Sequence, residues 1–306
     1  MSAVFQSVET GLFPQVFRAN FDGLLRSTGY FKRKRKIVMS ENTHRPVAVD
    51  AFPDIRSVGL DAPARWLSAG WGDLRQARGA SLFYGTCFAV GGWVMQIVFA
   101  RAYSLFAGLI TGFLLLAPFL AMGLYDLSRR IGLGEPPRLL VTFTAWRSNL
   151  ANVSLLAAVL AVVFLVWARA SMVIFALFFD AAGLPTFVDV VHAVITLEQP
   201  EFALVYFMVG GFFALFVFAI SVVAVPLMLD RGTDAISSAI TSISACTRNP
   251  LPMLLWALCI VVLVAIGLAT RFIGLIVIMP ILGHATWHAY RELTTPAAPD
   301  LNAGET

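Results

Sequence analysis

Val153-Ser-Leu-Leu-Ala-Ala-Val-Leu-Ala-Val-Val-Phe-Leu-Val-Trp-Ala168 holds no charged side chain, and the apolar run continues to Phe178 with Arg169 as its only charge. A helix needs about 20 mostly apolar residues to cross a bilayer, and this stretch has them with no polar face left for water. Working outward, residues 81–100, 104–124, 203–229, 251–270 and 272–290 read the same way. Across all 306 residues, 58% are hydrophobic and 13% charged, against about 25% charged in an ordinary soluble domain. Mean hydropathy is +0.79. The chain is too apolar to cover itself with polar groups in water. It therefore reads as an all-α, polytopic membrane protein with six transmembrane helices. Arg101 separates the first two spans and Thr270-Arg271 the last two, so both pairs are tight hairpins.

Arginine and lysine set the orientation. The N-terminal segment, the 125–152 and 230–250 loops and the C-terminus carry 19 of the 22 basic residues. Arg101, Arg169 and Arg271 are left for the other side. Cytoplasmic connections carry the excess of basic residues, so both termini are expected in the cytoplasm. Arg169 lies about 24 Å along its helix, near the far membrane face, where its guanidinium snorkels to headgroups. The 180–202 loop, with Asp180, Asp189, Glu198 and Glu201 and no base, agrees with an outer position. Phe187, Val190, Val191 and Val194 form a short apolar stripe there, read as a helix on the outer surface.

The stretch before the first span divides in three. In residues 1–38, Phe5, Val8, Leu12, Phe13, Val16 and Phe17 recur at helical spacing ahead of the basic run Lys32–Lys36. Two readings stand open: a surface helix with a polybasic clamp on anionic headgroups, or an untranslated extension with Met39 as the true start. No signal peptide is read here. Residues 40–62 look like a tail, so 1–62 is taken as a disordered or mis-assigned extension. Pro63–Gly79 reads as an amphipathic interfacial helix. Trp66, Leu67, Gly70, Trp71 and Leu74 share one face, with Arg65, Asp73, Arg75 and Arg78 largely elsewhere. Residues 63–293 form the membrane domain and 294–306 a disordered C-terminal tail.

The chain also repeats itself weakly. Pro118 is followed by a polar loop and Trp146-Arg147-Ser148-Asn149 before the third span. Pro226 is followed by Asp230-Arg231-Gly232 and Thr247-Arg248-Asn249 before the fifth. Pro280–Arg291 echoes Pro118–Arg129. Proline at such depth kinks a helix. Trp66-Leu67-Ser68-Ala69-Gly70-Trp71-Gly72-Asp73-Leu74, Gly123-Leu124-Tyr125, Ser128-Arg129-Arg130, Gly134-Glu135-Pro136-Pro137, Asp230-Arg231 and Leu282-Gly283-His284-Ala285-Thr286-Trp287-His288 together resemble the DUF2189 family of predicted integral membrane proteins, over about residues 60–293. The resemblance implies a bacterial inner-membrane protein without an established activity. Some members of that family carry the label of cytochrome c oxidase components, which implies an association with a respiratory complex.

Chemistry-bearing residues are sparse. Cys87, Cys246 and Cys259 show neither disulfide nor zinc spacing, and the net charge of +4 is read as topology and lipid contact rather than nucleic-acid binding. The centres of the spans hold no ionisable residue, which argues against a proton-coupled pump. Gln96 reads as an interhelical hydrogen bond, and Gly108-x-x-x-Gly112 and Gly210-Gly211 as close helix contacts. Asp126, Arg129, Arg130, Glu135, Asp230, Arg231, His284, His288 and Arg291 emerge at the inner ends of the spans and are expected to form a cytoplasmic polar rim. His284 and His288 lie at i, i+4 on one helix face, the one weak candidate pair for a metal, with Asp126 or Asp230 as a conceivable third ligand. No resident metal, cofactor or catalytic residue is expected. No nucleophile–base motif or phosphate loop appears, so an enzyme is not expected. The reading is an accessory, assembly or scaffolding component of a membrane complex, with lipid and other membrane proteins or itself as partners. The alternative is a transporter or channel for a small or lipid-like solute.

Overall fold

The computed structural model of the chain describes residues 53–101, 103–178 and 200–294, the side chains of 99–116 excepted. The amphipathic stretch 1–38 with its basic run, the Met39 start, the outer-surface stripe at Phe187–Val194 and the tail from 295 lie outside the described residues. The described chain is helical, in the order α1 (Ala62–Gln76), α2 (Arg78–Arg101), α3 (Tyr103–Gly132), α4 (Leu139–Thr142), a 3-10 turn (Ala145–Asn149), α5 (Leu150–Phe178), α6 (Pro200–Ser221), α7 (Ala224–Arg231), α8 (Ala235–Arg248), α9 (Pro250–Ala269) and α10 (Leu275–Leu293).

Among the described residues four stretches are long and apolar enough to cross a membrane, not six: Arg78–Val98, Leu139–Phe178, Pro200–Arg231 and Pro250–Ala269. The expected second span, 104–124, falls in α3, half of which lies outside the described side chains. The sixth, 272–290, is a correction with a physical cause. Its apolar half ends near Leu282, and the rest of α10 carries His284, Thr286, His288 and Arg291. Trp93 Nε1 donates to Arg271 O at 2.7 Å, and the Phe272 ring packs where a Gly92 Cβ would stand. The α9–α10 turn therefore sits beside the middle of α2, about 14 Å short of Arg101 at 1.5 Å per residue. A buried helix is also rich in apolar residues, and length alone does not separate the two cases.

The dense core lies at one end of the helices. Trp66 of α1, Tyr84 of α2, Met122, Leu124 and Leu127 of α3, Leu227 and Met228 of α7, Trp256 of α9 and Tyr290 and Leu293 of α10 are almost wholly enclosed. The most extensive helix contacts are those of α10 with α1 and with α2. α1 is thus held against protein by Trp66, Gly70 and Leu74, while Trp71 points outward. Ahead of it, Asn249 Oδ1 accepts from Val58 N at 2.8 Å and Asn249 Nδ2 donates to Arg56 O at 3.0 Å, pinning residues 55–58 beside the end of α10.

The fourth apolar run breaks before its proline. α6 ends at Ser221, and Val223 N donates to Ser242 Oγ of α8 at 3.1 Å. Pro226 then falls in the first turn of α7, where its missing N–H removes no helical hydrogen bond. Pro118 and Pro280, by contrast, lie inside α3 and α10.

Candidate functional site

Four helices bring a histidine and three short polar side chains together inside the dense end. The close approach depends on glycine. A Cβ at Gly70 would lie 2.7 Å from Ile281 O and Ala285 N, and one at Gly85 would overlap the Ile276 carbonyl. α1 and α2 therefore touch the backbone of α10, and side chains as short as Asp73 and Ser81 reach into the contact.

The hydrogen bonds there form one chain. Ser128 Oγ of α3 donates to Asp73 Oδ2 of α1 at 2.6 Å. Its proton is thereby committed, so His284 Nδ1–H donates to Ser128 Oγ, 2.7 Å away. His284 Nε2 is then the acceptor for the Ser81 hydroxyl of α2, at 2.9 Å. His288 Nε2, one turn along α10, donates to the same Asp73 oxygen at 2.8 Å. Burial pushes the His284 imidazolium down to a pKa of about 4, and the nearby Asp73 charge only partly offsets this, so the ring is neutral at pH 7. Burial pushes Asp73 upward, but the hydrogen bonds from His288 and Ser128 together win, and its pKa is lowered.

Ser81–His284 has the composition of a nucleophile and its base, with Asp73 behind them through Ser128. Both, however, have 0% exposure. The hydrogen-bond chain ties four helices together, and of its members only His288 is partly exposed.

The expected rim residues fall into separate groups. Asp126, only 1% exposed, accepts from Arg129 Nη2 at 2.7 Å and Arg130 Nε at 2.8 Å, all on α3. Arg130 also reaches Glu135 at 2.9 Å. On the other side, Tyr290 OH donates to Asp230 Oδ2 at 2.6 Å, Arg231 Nε donates to Tyr290 OH at 3.3 Å, and Arg291 lies 3.7 Å from Asp230. His288 joins neither group but Asp73. Among the described residues no three His, Cys, Asp or Glu side chains are grouped to hold a metal. Both His284 nitrogens face serines, and the two carboxylates considered as further ligands are engaged elsewhere.

Asp73, Ser81 and Ser128 do not stand out in the sequence as site residues. The signal for Asp73 is nevertheless present: Trp66, Gly70 and Asp73 stand at i, i+4 and i+7, on one face. Gln96 lies on the exposed side of α2, not between helices. Gly210 does face a neighbour, since a Cβ there would stand 3.1 Å from the Trp167 ring. Gly211 faces open space, and Gly108 and Gly112 lie outside the described side chains.

A second feature lies between the spans. A partly open cavity of about 490 Å³ is enclosed chiefly by Ala117 and Ala121 of α3, Phe164 and Trp167 of α5, and Gly210 and Ala214 of α6.

No curated protein and no solved structure matches the chain. The Trp66 and His284 strings stand outside the stretch that a family model matches. Residues 105–230, from α3 to the end of α7, match the model of the predicted integral membrane proteins DUF2189.

Proposed function

We propose that this protein is an accessory or scaffolding component of a larger assembly in a bacterial inner membrane, with no enzymatic role and with both termini cytoplasmic. The outward surface of α5 and α9 carries this reading. Only 22% of the most apolar window in each of these two spans is buried. On α9, Leu251, Leu254, Leu255, Leu258, Val261 and Val262 make one exposed stripe. Such a stripe suits lipid and the spans of other membrane proteins alike, because packing between spans relies on shape rather than on water exclusion. The enclosed Ser81–His284 pair supports a structural rather than catalytic interior.

A photo-cross-linking residue in place of Leu258 tests the reading in native membranes. The expected result is a protein adduct of one defined mass, absent when the same group replaces the inward-facing Trp256. Lipid adducts alone at Leu258 overturn it.

Orientation draws support from the way the basic connections collect. Asn149 Nδ2 donates to Thr233 O at 2.8 Å, Tyr290 reaches Asp230, and Asn249 reaches Arg56. The 125–152 and 230–250 connections and the end of α10 therefore share one end of the bundle, as the excess of arginine requires. Alkaline phosphatase fused after Glu198 is expected to be active and after Asp234 inactive; activity at Asp234 reverses the sidedness. Passage of a small or lipid-like solute is the second reading, favoured by the cavity between α3, α5 and α6.

A further inference from the structure

We propose that the cavity between α3, α5 and α6 is the binding site for one hydrocarbon chain of a bilayer lipid, a role separate from the scaffolding surface on α9. Its shape comes first. Gly210, Phe213, Ala214, Val217, Phe218 and Ser221 line it along one face of α6. Their spacing makes it about 16 Å long at 1.5 Å per residue, the form of a chain rather than of a compact ring. Small residues stand in the lining on two helices, Ala117 and Ala121 on α3 and Gly210 and Ala214 on α6, and leave the space open.

Its chemistry excludes the other occupants. Among the described residues no Asp, Glu, Lys, Arg or His lines it, so none of them compensates a charged headgroup there. The hydroxyls in the lining are engaged within the protein. Thr286 Oγ donates to Leu282 O and Ser221 Oγ to Val217 O, each at 2.7 Å, and Tyr125 hydrogen-bonds Thr286. A buried water needs two to four polar partners, and an empty space forfeits dispersion contacts on every wall. Hydrocarbon satisfies both conditions. The cavity is partly open, and α5 and α6, which line it, are long and apolar enough to cross a membrane, so acyl chains are the hydrocarbon at hand to fill it.

The test uses the full chain in phosphatidylethanolamine–phosphatidylglycerol vesicles with a trace of phosphatidylethanolamine bearing a diazirine at one chain end. After photolysis, adducts are mapped by peptide mass spectrometry. Adducts on Phe213, Ala214 and Val217 are expected to exceed those on the outward-facing Leu215 and Phe216 by about fivefold, as for a chain held in a pocket rather than exchanging along a surface. Ala214→Trp fills the space and is expected to abolish that excess while adducts at Leu215 and Phe216 stay unchanged. Ala121→Leu fills it from α3 and is expected to do the same. Inward adducts no more frequent than outward ones in the unsubstituted protein overturn the proposal, whatever either variant does. Cross-linking at Leu258 reads a different helix, so failure here leaves the scaffolding reading standing and the reverse.

Discussion

Gly85→Ala is expected to lower stability by about 3 kcal/mol or more, at the upper end of what overpacking a tight contact costs. The added methyl would overlap the carbonyl oxygen of Ile276, which belongs to a helix backbone and has no rotamer through which to retreat. Relief requires α2 and α10 to separate. That separation also pulls Ser81, one turn earlier on α2, away from His284. Gly70→Ala meets the backbone of α10 at 2.7 Å and is expected to follow the same course less severely. Gly72→Ala is the control, because nothing lies within 4 Å of its Cβ position inside α1. There alanine removes the glycine penalty of a helix interior and is expected to add about 0.5–1 kcal/mol. Thermal melts in detergent followed by tryptophan fluorescence measure all three. A Gly85→Ala melt equal to that of the parent would show that α2 and α10 do not meet at this point.

The contrast among these glycines explains how far the sequence was legible. The apolar spans α5, α6 and α9 announce themselves, because a lipid-facing helix needs only an unbroken apolar run and its neighbours hardly alter the requirement. α10 is a different case. Its apolar first half has the composition of a span, while its polar second half is sheltered by protein, and only the partners decide which environment it meets. The weak repeat carries more than its prolines suggest. Asn149 and Asn249 each stand just before a span and donate to two backbone carbonyls, Met228 and Thr233 in one case and Arg56 and Ala245 in the other. The prolines of the repeat do not correspond in this way, since Pro226 lies in the first turn of a helix whereas Pro118 and Pro280 lie inside one. The rim residues are legible in the sequence by their charge. Their grouping is not, because Asp126 satisfies arginines of its own helix and Asp230 turns to Tyr290. Serines 81 and 128 carry no signal in composition or spacing. They matter only because two glycines elsewhere let the helices close to hydrogen-bonding distance.

The buried histidine makes stability depend on pH. α10 is not among the helices apolar enough to cross the membrane, and His284 faces Ser81 of α2, Ser128 of α3, Asp73 of α1 and, on its own helix, His288. Its pKa falls from 6.5 when exposed to about 4 in the fold, with burial as the main cause. Between those values the unfolded chain binds a proton that the folded one refuses. The contribution is therefore whole above pH 6.5 and lost as pH falls toward 4, amounting to about 3 kcal/mol over that window. Asp73 works at a lower pH. Its depressed pKa gives stability that is present above 3.8 and disappears only as pH drops through the folded value, so melts between pH 7 and 4.5 report chiefly on histidine. His284→Gln keeps a side chain able to bond a serine but removes the titration. The variant is expected to be less stable than the parent at pH 7, because one of the two serine contacts is lost, and to lose much less stability on going to pH 4.5. His288 remains in both proteins, so the difference between the two slopes belongs to His284. Parallel slopes in parent and variant would show that the ring does not sit unprotonated among Ser81, Ser128 and Asp73.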